Sequence, residues 1–249
     1  MRQFIIAASV VAALWSGAAV AADIKVLSAG AVKPGLLRAA DDFKRASGHE
    51  VMVQFNTAPE LARKLAEGAA ADIVIAPPAL LDAQAKADRI SAQGRIMLGR
   101  VGAGVVVRAS ALSPNVATTE ALKQAMLGAD AIVYNTASTG LYLEKLFERI
   151  GIAEEIKAKT SRYPNGDAVM EHIIRGKGND LGFGAITEIK LFEPKGLKLA
   201  GALPAEVQNY TSYGAALLTH ASSVDAAKAF LAYLATPEAK QTFAAAGIE

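Results

Sequence analysis

Four short segments of small, hydroxyl and amide residues stand at expected helix starts, the first three directly after expected strands: Ser28-Ala29-Gly30-Ala31, Asn56-Thr57-Ala58, Ala137-Ser138-Thr139-Gly140 and Asn165-Gly166-Asp167. Each helix start presents backbone N–H groups without acceptors and the positive end of the helix dipole. Aimed at one point, such ends hold an anion without any charged side chain. Small residues such as Gly30, Ala31 and Ala58 let a guest approach the backbone closely. In open α/β sheets ligands bind at the carboxyl ends of the strands, where these loops fall. Ordinary N-capping, which Ser, Thr and Asn perform everywhere, explains any one of them. Four of them, two from each half of the chain, point to a cleft between the halves.

Catalytic patterns are sparse by comparison. The chain has no G-x-S-x-G elbow, no H-E-x-x-H, no P-loop Lys and no G-x-G-x-x-G after a strand. Glu171-His172 falls mid-helix and reads as a surface pair, while His49 and His220 are isolated and read as solvated. Asp41-Asp42 and Glu154-Glu155 are adjacent, so on a helix their side chains splay about 100° apart. The acidic residues therefore read as solvated helix faces. With three His and no Cys, no metal site, no cofactor and no catalytic residue are expected. Lys+Arg 26 against Asp+Glu 24, with no basic run, argues against nucleic acid as the main partner. A hydrophobic share of 52% is too high for disorder.

The elements that must position these loops follow from patterning. Arg2, the apolar run 4–14 and the small-x-small site Ala19-Val20-Ala21 have the grammar of a secretory signal peptide, residues 1–21, cleaved near Ala21 or Ala22. The alternative is an N-terminal anchor over residues 4–22, which is just long enough. Export and the absence of Cys fit a Gram-negative periplasm. Strands are expected at 24–28, 51–55 and 72–76. Each is followed by a helix: 34–47 ended by Gly48, one capped by Thr57 and ended by Gly68, and 77–87. Three βα units in succession predict a parallel sheet. The strand 101–108 leaves the first lobe. Helices to 127, at 140–150 and at 167–175 alternate with strands at 131–134, 181–184 and 197–200. A strand at 213–219 returns, and helices at 223–234 and 237–246 close the chain. The expected fold is α/β and two-lobed, each lobe a mostly parallel sheet flanked by helices. Lobe 1 is 22–104 and 205–249, lobe 2 is 105–204, and two crossings near 101–110 and 200–215 join them.

Residues 24–32, Ile-Lys-Val-Leu-Ser-Ala-Gly-Ala-Val, resemble the opening strand and loop of molybdate-binding periplasmic proteins. Phe55-Asn56-Thr57-Ala58-Pro59-Glu60-Leu61 and the later Gly68-Ala69-Ala70-Ala71-Asp72-Ile73-Val74-Ile75 resemble their second strand, helix and third strand. Leu181-Gly182-Phe183-Gly184 and Thr236-Pro237-Glu238-Ala239-Lys240 are similar to segments common across type II solute-binding proteins. The resemblance implies a Venus-flytrap receptor, a monomer, that delivers a small anion to the membrane permease of an ABC importer. Carried over by position, the family's first-loop Ser falls on Ala31. Its second-loop Ser pair falls on Thr57 and Ala58, and its third-loop donor on Thr139 beside Ser138. Its fourth-loop amide falls on Gly166, and its Tyr on Ala185. Each lost donor is worth about 1–3 kcal/mol where a polar group is left unpaired. Ala31 and Ala185 thus imply a guest other than molybdate, and a larger one: an organic anion. Lys33, Arg162 and Tyr163 are candidate contacts to its charged or ring groups. The alternatives are a true molybdate or tungstate receptor with a rearranged site, and a secreted hydrolase using Ser138 or Thr139.

Overall fold

The computed structural model describes residues 22–91 and 93–249; the segment read as a signal peptide lies outside the described residues. The chain opens with β1 (Asp23–Ala29), a 3-10 turn (Gly30–Val32), α1 (Lys33–Ser47), β2 (Glu50–Asn56), α2 (Ala58–Ala66), β3 (Ile73–Ala76) and α3 (Pro78–Lys86). These are the three βα units the patterning predicts. Gly48, at φ 78°, stops α1 in the left-handed conformation that glycine adopts without strain. The long strand β4 (Ile96–Arg108) follows. Next come α4 (Thr119–Leu127), β5 (Ala131–Asn135), α5 (Ser138–Arg149), α6 (Ala153–Ile156), β6 (Thr160–Tyr163), α7 (Gly166–Arg175), β7 (Asp180–Ala185), α8 (Ile186–Phe192) and β8 (Leu197–Ala202). β9 (Tyr210–Leu217), α9 (Val224–Leu234) and α10 (Pro237–Ala245) complete the order.

The strands run β2-β1-β3-β9-β4-β7-β5-β6, with β8 also on β4. β4 joins the two halves of this order. Its residues Ile96 to Gly102 pair antiparallel with β9. Its residues Ala103 to Val106 pair with β7, and Gly104 to Arg108 with β8. Each side has its own apolar packing. Ile24, Leu36, Phe43, Ile75, Phe230 and Phe243 form one cluster around β1, β3 and β9. On the other side β4 alternates faces, as a strand must: Val105 and Val107 pack with Leu122, Ile132 and Phe183. Val106 packs on the opposite face with Met170, Ile173 and Ile189.

The structure departs from the sequence reading in several places, the short α6 and β6 among them. β4 begins at Ile96, five residues earlier than expected, because pairing with β9 holds a stretch that contains Gly99 and Arg100. His49 is half-buried instead of solvated: its Nδ1 accepts the Ala22 N–H at 3.1 Å and its ring stacks on Phe43. The helix α8, directly after β7, has no counterpart in the sequence reading.

Asp72 opens the segment expected as a strand and stands just ahead of β3. It is inaccessible to solvent and accepts the N–H of Lys25 at 2.8 Å, of Ser222 at 2.7 Å and of Ser223 at 2.9 Å, with the Ser222 hydroxyl at 3.1 Å. Burial alone would push its carboxyl up, but these four donors together outweigh burial and hold it below the usual carboxylate range. The stability it contributes is therefore present above the unfolded-state value near pH 4 and is lost as pH falls through the lower folded value. Asp72→Ala leaves three partly buried N–H groups unpaired. It is expected to destabilise the protein by about 3 kcal/mol, a fall of roughly 6–12 °C in Tm by thermal denaturation.

Candidate functional site

The helix-start loops converge. Gly30, Ala31, Thr57 and Ala58 from the β1–β3 side, and Ser138, Thr139, Asn165 and Gly166 from the β5–β7 side, line one cavity, with Ala185 and Lys33. Its volume is about 110 Å³, against roughly 10–15 Å³ for one water on a comparable measure, so a guest of several heavy atoms fits. At α5 the Asn135 side chain accepts the N–H groups of Ala137 at 3.0 Å and Gly140 at 3.4 Å. The Ser138 and Thr139 N–H groups then have no acceptor within the helix. At α7 the Asn165 side chain caps Ala168 N–H at 2.9 Å, which leaves those of Gly166 and Asp167. Thr57 is different. Its N–H and its hydroxyl both donate to Glu60 Oε2, at 2.9 and 3.0 Å, so that hydroxyl proton is committed to the start of α2.

Three of the sequence candidates stand elsewhere. Gly140 is buried in the first turn of α5 and is absent from the cavity wall; a Cβ there would collide with the Asn135 carbonyl, so glycine serves helix–strand packing. Arg162 pairs with Glu144 on the surface, and Tyr163 shares a 2.7 Å hydrogen bond with His172 Nδ1; neither lines the cavity. Arg162→Ala is accordingly expected to leave the affinity for small anions unchanged within about twofold by isothermal titration. None of the three His lines the cavity either, so Ser138 and Thr139 have no imidazole to activate them as nucleophiles.

Asn56 and Lys33, both named from sequence, share the polar wall of the cavity with Tyr213 and Glu188, which the sequence reading missed. Tyr213 of β9 lines it and supplies a phenol from a different strand than the one on which Ala185 lies. Burial, and then the nearby Glu188 charge, push that phenol well above the ordinary tyrosine value. The Asn56 side chain also lines the cavity, and its Oδ1 is a buried acceptor with no hydrogen-bond partner among the described residues. At 3.4 Å, Lys33 Nζ pairs with Asp167 Oδ2 across the two sides of the cleft, and it stands 5.6 Å over the Phe55 ring.

Glu188 completes the cavity wall. It is the third residue of α8, from which a Glu reaches back to the N–H of the residue before the helix, here Ala185. The neighbouring Thr187 donates its hydroxyl to the Ala31 carbonyl at 2.6 Å, which ties α8 to the 3-10 turn after β1. The Glu188 carboxyl then lies against two glycines, one from each side. A Cβ on Gly30 would meet its Oε1 at 2.7 Å, and a Cβ on Gly166 would collide with its Oε2. Protein surrounds the group, and what remains accessible faces the cavity. Burial first, and then the Asp167 charge, push its pKa up to about 7; Lys33 and the Ala185 N–H act the other way.

A family model described as bacterial extracellular solute-binding protein matches residues 24–249. The chain belongs to that family. Among solved structures this solute-binding protein is similar to the periplasmic molybdate-binding protein of Azotobacter vinelandii, with a TM-score of 0.77 at 17% identity over 91% of this chain and 98% of that one. It is also similar to the sulfate-binding protein SubI of Mycobacterium tuberculosis H37Rv, with a TM-score of 0.72 at 15% identity over 91% and 86%. The fold is therefore the type II periplasmic-binding-protein fold, as the resemblance implies. A curated relative, "Aconitate isomerase" of a Pseudomonas sp, is 26% identical over 234 residues, 91% of this chain and 87% of the relative. The solute-binding protein thus shares its fold with oxyanion receptors, while its cavity wall carries Glu188, a carboxyl with no ion-pair partner among the described residues.

Proposed function

We propose that this protein is a periplasmic receptor that captures a small organic carboxylate between two lobes and presents it to the permease of an ABC importer. The observation that carries this reading is the mixed wall of the cavity. Helix-start N–H groups and Lys33 suit carboxylate oxygens. Ala31, Ala58, Phe55, Pro77 and the Tyr213 ring suit a carbon skeleton. Glu188 and the unpartnered Asn56 Oδ1 face the cavity with acceptors that a compact dianion such as molybdate, with no carbon skeleton to set against them, cannot avoid. The relative named for aconitate, an unsaturated tricarboxylate, supports the same ligand class. We take the lobes as 22–104 with 205–249, and 105–204, turning about β4 and the approach to β9 when they close on the guest; the protein acts as a monomer after cleavage near Ala21 or Ala22. Isothermal titration of the mature chain against dicarboxylates, tricarboxylates, molybdate and tungstate tests this. A polycarboxylate is expected to bind in the micromolar range or tighter; submicromolar molybdate with no carboxylate binding overturns it.

One observation favours a second reading, in which the guest is altered while bound. Glu188 has the placement and the near-neutral pKa of an acid–base group, and the curated relative is named as an isomerase.

A further inference from the structure

We propose that Glu188 carries a proton between two carbon atoms of the bound carboxylate, so that the cleft moves a carbon–carbon double bond within its guest. This rests on the second reading above and assigns its chemistry to a residue, a step and a substrate class.

Three carboxyls line the cavity, and two are occupied. Asp167 is paired with Lys33, and Glu60 accepts from Thr57. Among the described residues Glu188 has no ion pair, and its one hydrogen-bond donor is the Ala185 N–H. Its position is also built from two sides, since Gly30 and Gly166 leave room for the carboxyl where any side chain would displace it. The groups that act on it are Asp167 from α7, Lys33 from α1 and the Ala185 N–H at the end of β7; Tyr213 from β9 senses its charge. A base that titrates near neutrality suits removal of a proton from carbon at physiological pH.

The substrate class is an unsaturated di- or tricarboxylate with a methylene beside the double bond. The Glu188 carboxylate takes a proton from that methylene. The electron pair of the broken C–H bond becomes the new double bond. The old π pair moves to the distal carbon, and its charge spreads onto the carboxylate attached there. Ser138 and Thr139 N–H groups and the Lys33 ammonium are the donors available to meet that charge. Glu188 then returns the proton to the distal carbon and is a carboxylate again. No electron is gained or lost overall, and no co-reactant enters.

The experiment uses the mature chain with trans-aconitate as probe in D2O, followed by proton NMR. Conversion to the cis isomer is expected, with deuterium entering the guest to the extent that the Glu188 proton exchanges with solvent before it is returned. The turnover rate should rise with pH through an inflection at or above about 7. Glu188→Gln is expected to lower turnover at least about a hundredfold and to lose that inflection, while remaining folded by circular dichroism and still binding trans-aconitate by calorimetry. Trans-aconitate that binds the wild type but is neither converted nor exchanged overturns this inference and leaves the receptor reading standing. Undiminished turnover by Glu188→Gln overturns the assignment to Glu188. A wild type that binds no polycarboxylate at all overturns both readings, a result that calorimetry separates from the others.

Discussion

Lys33→Met lowers the affinity for a small polycarboxylate about a hundredfold. Among the described residues Lys33 is the single cationic side chain on the cavity wall. Its replacement removes a charge-assisted contact worth about 1.5–3 kcal/mol, and about 2.8 kcal/mol is a hundredfold. It also frees the Asp167 carboxylate, 3.4 Å away, to repel the guest. The double variant Lys33→Met/Asp167→Asn removes that repulsion and is expected to recover roughly tenfold. Folding is scarcely touched, because the pair is partly exposed, with 28% and 50% of the two side chains accessible, and such pairs contribute at most about 1 kcal/mol. Isothermal titration at low salt together with a melting curve separates the two effects: affinity falls while Tm stays within a few degrees. An affinity within about threefold of the wild type would mean that the cation has no part in holding the guest.

Glu188→Gln makes the empty protein more stable at pH 8 and flattens its response to pH. The folded carboxyl titrates near 7 against an ordinary value of 4.5, so between those values the folded state holds a proton that the unfolded state has lost. Stability linked to this group is complete below about pH 4.5 and declines as pH rises through about 7. The full span corresponds to roughly 3 kcal/mol at about 1.36 kcal/mol per pH unit. Wild-type Tm is therefore expected to fall between pH 5 and pH 8, and the glutamine variant to lose most of that decline. Guest affinity follows the same sign. Above pH 7 the ionised Glu188 faces an anion, so wild-type binding weakens with pH and the variant binds more tightly at pH 8. A pair of melting series with superimposable pH slopes would show that Glu188 is ionised in the folded state throughout.

Much of the scaffold was readable because its signals are local. Pro59 after a Thr57 cap, Gly48 after an apolar-periodic helix, and the fully buried Ile73-Val74-Ile75-Ala76 run each declare an element within a few residues. The backbone half of the site was readable for the same reason, since a strand followed by Ser, Thr, Asn or Gly marks a helix start wherever it lies. Tyr213 and Glu188 were hidden. α8 is seven residues long, Ile-Thr-Glu-Ile-Lys-Leu-Phe, too short to establish a helical period, and it follows β7 with no turn signal between them. Glu188 thus looked like any other surface acid. Tyr213 lies within a buried strand, where an aromatic reads as core. Arg162 and Tyr163 adjoin the fourth loop in sequence, yet they occupy the short strand β6, which has no hydrophobic alternation to announce it. Nearness along the chain said nothing about which way they faced.

The division of β4 between two sets of partners also sets an order of assembly. Strands β5 to β8 reach β4 from within the next hundred residues, so the loops closed there are moderate. β3, by contrast, finds its neighbour β9 only after the chain has travelled from Ala76 to Gly214, and α9 and α10 pack later still. Closing so long a loop adds an entropy cost that no contact offsets until the partner arrives, and non-local pairing slows folding. Nucleation is expected in the contiguous stretch around β4, β5 and β7, with the amino-terminal strands left waiting for β9, α9 and α10. Pulse-labelled amide exchange should show Val105 and Val133 protected earlier than Val26 and Ile75.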